Sequence, residues 1–434
     1  MNNWKDEYIG KLKSIEDAIG YIKSNYRVVL GHACGEPAAL VKAMINNAEN
    51  YKNVEIVHMV AMGDAEYCKE EMKDNFRHNS LFVGGSTKNA INVGRGDFTP
   101  TFFFEVPKLF RKTLPIDVAL IQVSPPDEHG FVSLGISVDY TKSACEEAKI
   151  VIAQVNRFMP RTMGDSFIHV NDIDIFVECD EPIYELPKPV IGDIEKSIGR
   201  YCASLINDGD TLQLGIGAIP DAVLSFLYDK KDLGIHSEMF ADGVVELVKK
   251  GIITNKKKHL NKNKMVASFL MGTRELYDFV DNNPEVIMMP VDYVNNPVVI
   301  MQEDNIVSIN SCVQVDLMGQ VVSESIGKIQ ISGVGGQVDF VRGASMAKNG
   351  RSIIAMPSTV KGKVSKIVTK VDDYAAITTS RNDVDYIVTE YGIAHLKGET
   401  LRNRSKNLIK IAHPSYREDL IKYHNEKFND DFRL

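Results

Sequence analysis

A short stretch of this chain occurs twice. Ile15-Glu16-Asp17-Ala18-Ile19-Gly20 returns as Ile194-Glu195-Lys196-Ser197-Ile198-Gly199. Each copy leads into an apolar strand, Arg27 to Gly31 in the first and Thr211 to Gly215 in the second. Each strand leads to a turn and then to a proline, Pro37 or Pro220, whose fixed φ suits the first turn of the apolar helix behind it. Chance likeness between two helix–strand–helix units is the competing account. Under duplication, both halves build the same type of α/β sheet with a turn at the equivalent place in each. Only the second copy carries Gly-x-Gly there, at Gly215 and Gly217.

A chain of 434 residues exceeds one ordinary domain and predicts two. Between Cys179 and Pro189 stand Pro182, Pro187 and Pro189, which resist both helix and central strand and favour an extended linker. The division expected is an N-terminal α/β domain over 1–185 and a C-terminal α/β domain over 186–434. Strand-like runs at Val54 to Val60, Val118 to Val123 and Ile150 to Val155 alternate with helical stretches. The pattern continues at Val286 to Met289, Ile353 to Met356 and Tyr386 to Val388. Such alternation folds as parallel sheet. The expected class is α/β, with two similar open, mostly parallel-sheet domains and helices on both faces. Leu401 to Phe428 reads as two amphipathic helices broken at His413-Pro414.

Composition excludes several classes. Hydrophobic content of 44% suffices for substantial cores, so disorder is excluded. A net charge of −8 disfavours a general nucleic-acid binder. Lys256-Lys257-Lys258, the one compact basic run, reads as a solvated loop. No apolar stretch approaches the ~18–20 residues that span a bilayer. The N-terminus, from Met1 to Glu7, lacks the apolar core of a signal peptide. The six cysteines are scattered without C-x-x-C and read as reduced, mostly buried thiols of a cytoplasmic protein. No histidine pair has metal-ligand spacing, His32 and His129 included, so no catalytic metal is expected.

The candidate for chemistry is Glu238. An apolar run precedes it, and a helix-patterned stretch follows, with Asp242 as N-cap, Lys249 and Lys250 in the last turn and Gly251 as stop. That places Glu238 where a strand ends and a helix is about to begin, the edge of an open α/β sheet at which ligands bind. Two glycine turns share the look. Thr211 to Val223 is strand, tight turn and helix, while Gly333-Val334-Gly335-Gly336 precedes a helical stretch from Val338 to Ala347. Bare N–H groups at such turns can hold a phosphate or a developing oxyanion. The first turn is no dinucleotide fingerprint, because Pro220 occupies the third glycine position and Asp210 lies on the wrong side of it.

Gly215–Ala222 (GIGAIPDA), His236–Gly243, Ser268–Thr273 (SFLMGT), Gly333–Arg342 (GVGGQVDFVR) and Thr378–Ala394 together resemble the acetyl-CoA hydrolase/transferase family. The likeness runs in order along nearly the whole chain and is closest to its 4-hydroxybutyrate CoA-transferase branch. It implies sheets of the NagB/RpiA/CoA-transferase-like type, acyl-CoA and short carboxylic acids as partners, and a homodimer. CoA is implied as substrate, with no permanently bound cofactor. It implies that Glu238 attacks the thioester, and that Gly215, Ile216, Gly217, Ala218, Ile219, Gly335 and Gly336 form the CoA and oxyanion site. The implied activity is CoA transfer from acetyl-CoA to 4-hydroxybutyrate, or to butyrate, through a glutamyl-CoA thioester. Acyl-CoA hydrolysis by the same glutamate, and butyryl-CoA:acetate transfer, are the alternatives.

Supporting roles stay open. Gln213 and Gln337 flank the two turns and could donate side-chain N–H groups or serve as structural amides. His236 could orient Glu238 from the same strand face or be a core histidine. Glu390, in a Glu-x-Gly context, is the rival nucleophile. In the N-terminal half, expected on the acid-binding side, Ser86 or Thr87 could hold a carboxylate or cap the loop. Arg274 and Arg381 could reach CoA phosphates or form surface ion pairs. A metabolite sensor with a vestigial CoA site and a nicotinamide-dependent oxidoreductase complete the rival classes; no helix-turn-helix or basic arm supports a regulator.

Overall fold

The computed structural model describes residues 4–434. The reading of the N-terminus rests partly on Met1–Asn3, which lie outside the described residues. The chain divides into two compact units, one of Met1–Pro187 and Val266–Val294, the other of Lys188–Met265 and Asn295–Leu434. Residues 179–192 carry no regular structure, as three prolines predict, and the first change of unit falls there. A single cut did not anticipate that 266–294 belongs with the first unit. There the strand Val286–Met288 pairs in parallel with Met163–Gly164.

The first unit is built on seven strands: β1 (Arg27–Leu30), β2 (Val54–His58), β3 (Phe76–Ser80), β4 (Asp97–Phe98), β5 (Val118–Val123), β6 (Ile150–Val155) and β7 (Ile175–Glu178). All pair in parallel in the order β7-β6-β5-β1-β2-β3-β4. β5 is buried at every position, the continuous apolar run expected of a strand covered on both faces. Val28, Leu30, Val118, Leu120 and Ile152 share one core with Leu40 and Met44 of the helix Ala38–Asn46.

The second unit carries β8 (Thr211–Leu214), β9 (Gly234–Ile235), β10 (Ile306–Ser311), β11 (Arg351–Ala355), β12 (Tyr386–Thr389) and β13 (Gly392–His395). Their order is β9-β8-β10-β11-β12-β13, parallel except for the closing β12–β13 hairpin. Helices Leu401–Ile411 and Pro414–Phe428 follow, and His413 caps the second with its side chain, so the expected break falls at His413-Pro414.

The two sheets share a connection. In each, the first strand after the repeated helix lies between the second strand and a later one: β1 between β2 and β5, β8 between β9 and β10. That common order is what duplication predicts. At both places the order of strands reverses, which opens a crevice at their carboxyl ends. The turn after β1 and the Gly-x-Gly turn after β8 therefore stand at equivalent switch points.

The repeated glycines have diverged in role. Gly20 ends the helix Ile15–Ile19 as its C-cap, whereas Gly199 sits inside the helix Asp193–Ser204. A Cβ on Gly199 would lie 2.7 Å from the carbonyl carbon of Ala222 in the neighbouring helix Ala218–Leu224. Glycine to alanine inside a helix ordinarily stabilises by about 1 kcal/mol. Here the close approach reverses the sign: Gly199→Ala is expected to destabilise by about 1–3 kcal/mol, read from urea unfolding.

Candidate functional site

Glu238 stands at the carboxyl end of the second sheet. β9 is two residues long and is followed by His236-Ser237-Glu238, the extended Met239–Phe240 and the helix Asp242–Lys249. The helix N-cap is Ala241, not Asp242, which lies one residue inside; Gly251, at φ +70°, ends it as expected. Ser237 ties this strap to the first strand of the unit. Its hydroxyl accepts from the Leu214 N–H at 3.2 Å and donates to the Met239 carbonyl at 2.6 Å. Leu214 is the last residue of β8 before the glycine turn, so one buried hydroxyl holds the glutamate's backbone beside that turn.

The side chain of Glu238 is partly buried, and its Oε2 accepts from Asn295 Nδ2 at 2.7 Å. The same amide nitrogen donates to Asp339 Oδ2 at 3.3 Å. Asn295 and Asp339 are both buried. Asp339 belongs to the first turn of the helix Gln337–Met346, whose N-cap is Gly336. A Cβ on Gly336 would fall 1.7 Å from Glu238 Oε2 and 2.4 Å from Asn295 Nδ2. The carboxylate thus rests over the N-terminal end of a ten-residue helix, where the macrodipole favours a negative charge. Asn295 is fixed in turn by the short helix Pro297–Ile300, because Ile300 fills the gap left by Gly343 of the longer helix.

Among the expected glycine-turn residues, Gly217 adopts φ +110° as N-cap of the helix Ala218–Leu224, and Gly335 adopts φ +53°. Nothing lies within 4 Å of a Cβ built on Gly215 or Gly217, and Ile216 is 45% exposed. Ala218 is partly buried and Ile219 buried, where they start the helix. The first turn therefore presents open backbone, while Gly336 is crowded by the candidate nucleophile itself.

The flanking residues have partners or packing of their own. Gln213 exchanges side-chain hydrogen bonds with Asn310 of the adjacent β10, at 3.1 and 3.3 Å. Gln337 donates to the buried Thr379 hydroxyl at 3.3 Å. His236 is fully buried, with its ring set edge-on to Phe340. Both carboxylate oxygens of Glu390 are engaged by Ser358, one by its N–H at 2.8 Å and one by its hydroxyl at 2.6 Å. Arg274 pairs with Asp278, four residues along its helix, and Arg381 is exposed.

In the first unit, Ser86 is exposed, and Thr87 closes its own loop by accepting from the Gly84 N–H at 3.1 Å. The turn after β1 holds a carboxylate of its own. Glu36 is buried and accepts from the N–H groups of Met62 and Gly63 at 3.0 and 3.2 Å, beyond the end of β2. Burial pushes its pKa up, and the two N–H donors oppose that shift.

Two family models match, the acetyl-CoA hydrolase/transferase N-terminal domain over residues 1–186 and the C-terminal domain over 272–424. This chain belongs to the acetyl-CoA hydrolase/transferase family. It is 64% identical to 4-hydroxybutyrate coenzyme A transferase of Clostridium kluyveri, over 98% of this chain and 100% of that one. It is 42% identical to succinyl-CoA:cyclohexane-1-carboxylate CoA transferase of Geobacter metallireducens, covering 96% of each. A solved 4-hydroxybutyrate CoA-transferase from Porphyromonas gingivalis superposes with a TM-score of 0.86 at 45% identity, over 98% of this chain and 100% of that one. RipA from Yersinia pestis gives 0.94 at 36% identity, over 98% and 99%.

Asn295, Asp339 and Ser237 are members of the site that sequence reasoning missed. Asn295-Asn296-Pro297 signals only a helix start, and Asn296 does cap that helix. Asp339 had a position signal, three residues past Gly336, but nothing that paired it with Glu238.

Three outcomes are expected. Gly336→Ala forces Glu238 and Asn295 aside and costs about 1–3 kcal/mol of folding stability. Gly215→Ala, with open space around it, stays within about 0.5 kcal/mol of the native protein in the same urea titration. A raised carboxyl pKa contributes stability that is whole below the unfolded value and drains away as pH rises through the folded one. The native chain is therefore expected to lose stability relative to Glu36→Gln as pH climbs from about 4 toward neutral, read as the difference in urea midpoints.

Proposed function

We infer that this protein moves CoA between an acyl-CoA and a short carboxylic acid. Acetyl-CoA and 4-hydroxybutyrate are the favoured pair, with butyrate the nearest alternative acid. One methylene in an apolar pocket is worth only about 1–3 kcal/mol, so related acids compete. The reading is supported most by the setting of Glu238: a carboxylate held by Asn295 over a helix end, on a strap pinned to an open glycine turn.

The mechanism we assign conserves the thioester's energy in covalent form. A Glu238 oxygen adds to the thioester carbonyl, and CoA thiolate leaves, giving a mixed anhydride. The thiolate then adds to the glutamyl carbonyl and expels the first acid as its carboxylate, giving glutamyl-CoA. A second carboxylate adds to that thioester and releases thiolate. The thiolate takes the new acyl group and returns Glu238 as a carboxylate. This is nucleophilic catalysis with ping-pong kinetics. Each addition creates an oxyanion, for which the N–H groups at Gly215–Gly217 and Gly335–Gly336 are the proposed donors; losing one such donor costs on the order of 100-fold or more in rate. CoA serves as substrate, not resident cofactor. The first unit is assigned to the acid and the second to the thioester. We assign a homodimer in a reducing, cytoplasmic compartment, in keeping with six free cysteines, four of them buried. Among the described residues no helix is long and apolar enough to cross a membrane.

The decisive experiment is intact-mass spectrometry after incubation with acetyl-CoA and no acceptor, beside Glu238→Ala, with the adduct mapped by peptide. A borohydride-sensitive CoA adduct on Glu238, absent from the variant, is expected. An adduct on Glu390 would move the site. No adduct, with thiol release as fast without acceptor acid as with it, would make the protein a hydrolase.

A further inference from the structure

β9 is a very short edge strand for one that leads to a nucleophile. On its inner side it is held by β8, through the Gly234 N–H to the Asp210 carbonyl at 2.9 Å and the His236 N–H to the Leu212 carbonyl at 3.2 Å. On its outer side the neighbouring backbone stays only as far as Leu233, whose N–H donates to Ile252 and whose carbonyl accepts from Thr254 and Asn255. There Asn255 takes φ +57° and turns the chain away. Past that point a strand would ordinarily present unpaired N–H and carbonyl groups.

Two side chains take the place of the missing neighbour. Asn255 Oδ1 accepts from the Ile235 N–H at 2.9 Å, and Lys258 Nζ donates to the Ile235 carbonyl at 2.7 Å. Lys258 also donates to the Lys264 carbonyl at 2.9 Å, closing its own loop around the ammonium. Lys258 is 3% exposed and Asn255 4%, so Lys258 is not the solvated loop residue that the basic run suggested. The loop is anchored from behind by Glu303, also buried, which accepts from the N–H groups of His259 and Leu260 at 2.9 and 3.0 Å. Burial pushes the lysine's pKa down to about 8, with Glu303 opposing the shift; donation to two carbonyls suits its ammonium form.

A buried ammonium is a costly way to satisfy a carbonyl that water could reach at an ordinary edge. What it supplies is rigidity. Ile235 is three residues before Glu238, and both its backbone groups are fixed by charged or amide side chains. We propose that Lys258 and Asn255 are positioning residues, an outer brace that fixes where the Glu238 carboxylate stands when it attacks the thioester. The brace works with Ser237 on the inner side, so the strap is clamped on both edges. This rests on the reading of Glu238 as nucleophile.

The test is single-turnover formation of the Glu238 adduct from acetyl-CoA, followed by rapid-quench mass spectrometry, in native protein, Lys258→Met and Asn255→Gly. Methionine keeps the length and removes the donors; glycine tolerates the left-handed backbone and removes the acceptor. Misplacing a reacting group by about an ångström costs up to ~100-fold. Adduct formation in both variants is expected to slow roughly 10- to 100-fold, with the KM for acetyl-CoA within about twofold of native, because the defect lies in the attack and not in binding. Variants that lose melting temperature but form the adduct within about twofold of the native rate would overturn the brace and leave a stabilising role alone. Should Lys258→Met not fold, Asn255→Gly decides by the same criterion. Native protein without an adduct on Glu238 would sink the nucleophile reading, and the brace with it; a native adduct with equally fast variants sinks the brace only.

Discussion

The contact around which the second unit is arranged is between a carboxylate and a bare backbone. Glu238 Oε2 occupies the place where residue 336 would carry its Cβ, and Asn295 donates to it from the side. Three separate segments must agree for that to happen: the strap after β9, the segment before the helix Pro297–Ile300, and the start of the helix Gln337–Met346. Asn295 must also serve Asp339, so two carboxylates meet at one amide nitrogen. The helix end beneath them favours negative charge at that place. A carboxylate kept in that setting has its position set by several partners at once, which is the preorganisation that a nucleophile needs.

The two units solve the same geometric problem differently. Each has a turn at the point where its strand order reverses, and each has a strap beyond the adjacent strand. In the first unit the carboxylate is on the turn, at Glu36, and the N–H groups of Met62 and Gly63 beyond β2 receive it. In the second unit the carboxylate is on the strap, at Glu238, and the turn beyond β8 is Gly215-Ile216-Gly217. The two carboxylates thus stand on opposite sides of the switch point in otherwise like strand orders.

Much of this architecture was legible in the residues. The proline-rich linker, the runs at Val118–Val123 and Ile150–Val155, and the two C-terminal helices each depend on local signals, and each forms where those signals lie. The repeated helix–strand–helix pattern was legible too, and the two sheets share the strand order that duplication would give. What could not be read were relations between distant segments. Nothing local distinguishes Val286–Met288 as a strand of the first unit. Lys258 looks like its neighbours Lys256 and Lys257, which are exposed, until the shortness of β9 gives it a carbonyl to hold. Asn295 and Asp339 carry ordinary helix-start signals, and their shared role exists only once three segments converge. The family resemblance named Glu238 and the glycines, yet it was silent on the groups that hold them.

Glycine shows why motif and mechanism are not the same information. Gly199 is required by a neighbouring helix backbone, and Gly336 by a side chain already in place. Gly217 is required by its own φ. Gly215 is required by none of these, since its φ is ordinary and no atom crowds its Cβ position. A glycine with no internal reason to be glycine, at the end of a central strand and beside a clamped carboxylate, points outward for its explanation. Within the proposed reaction that explanation is the thioester, whose approach to backbone N–H groups a side chain at 215 would obstruct. Of these four glycines, three thus have a reason within the fold, and Gly215 has one only in the proposed reaction.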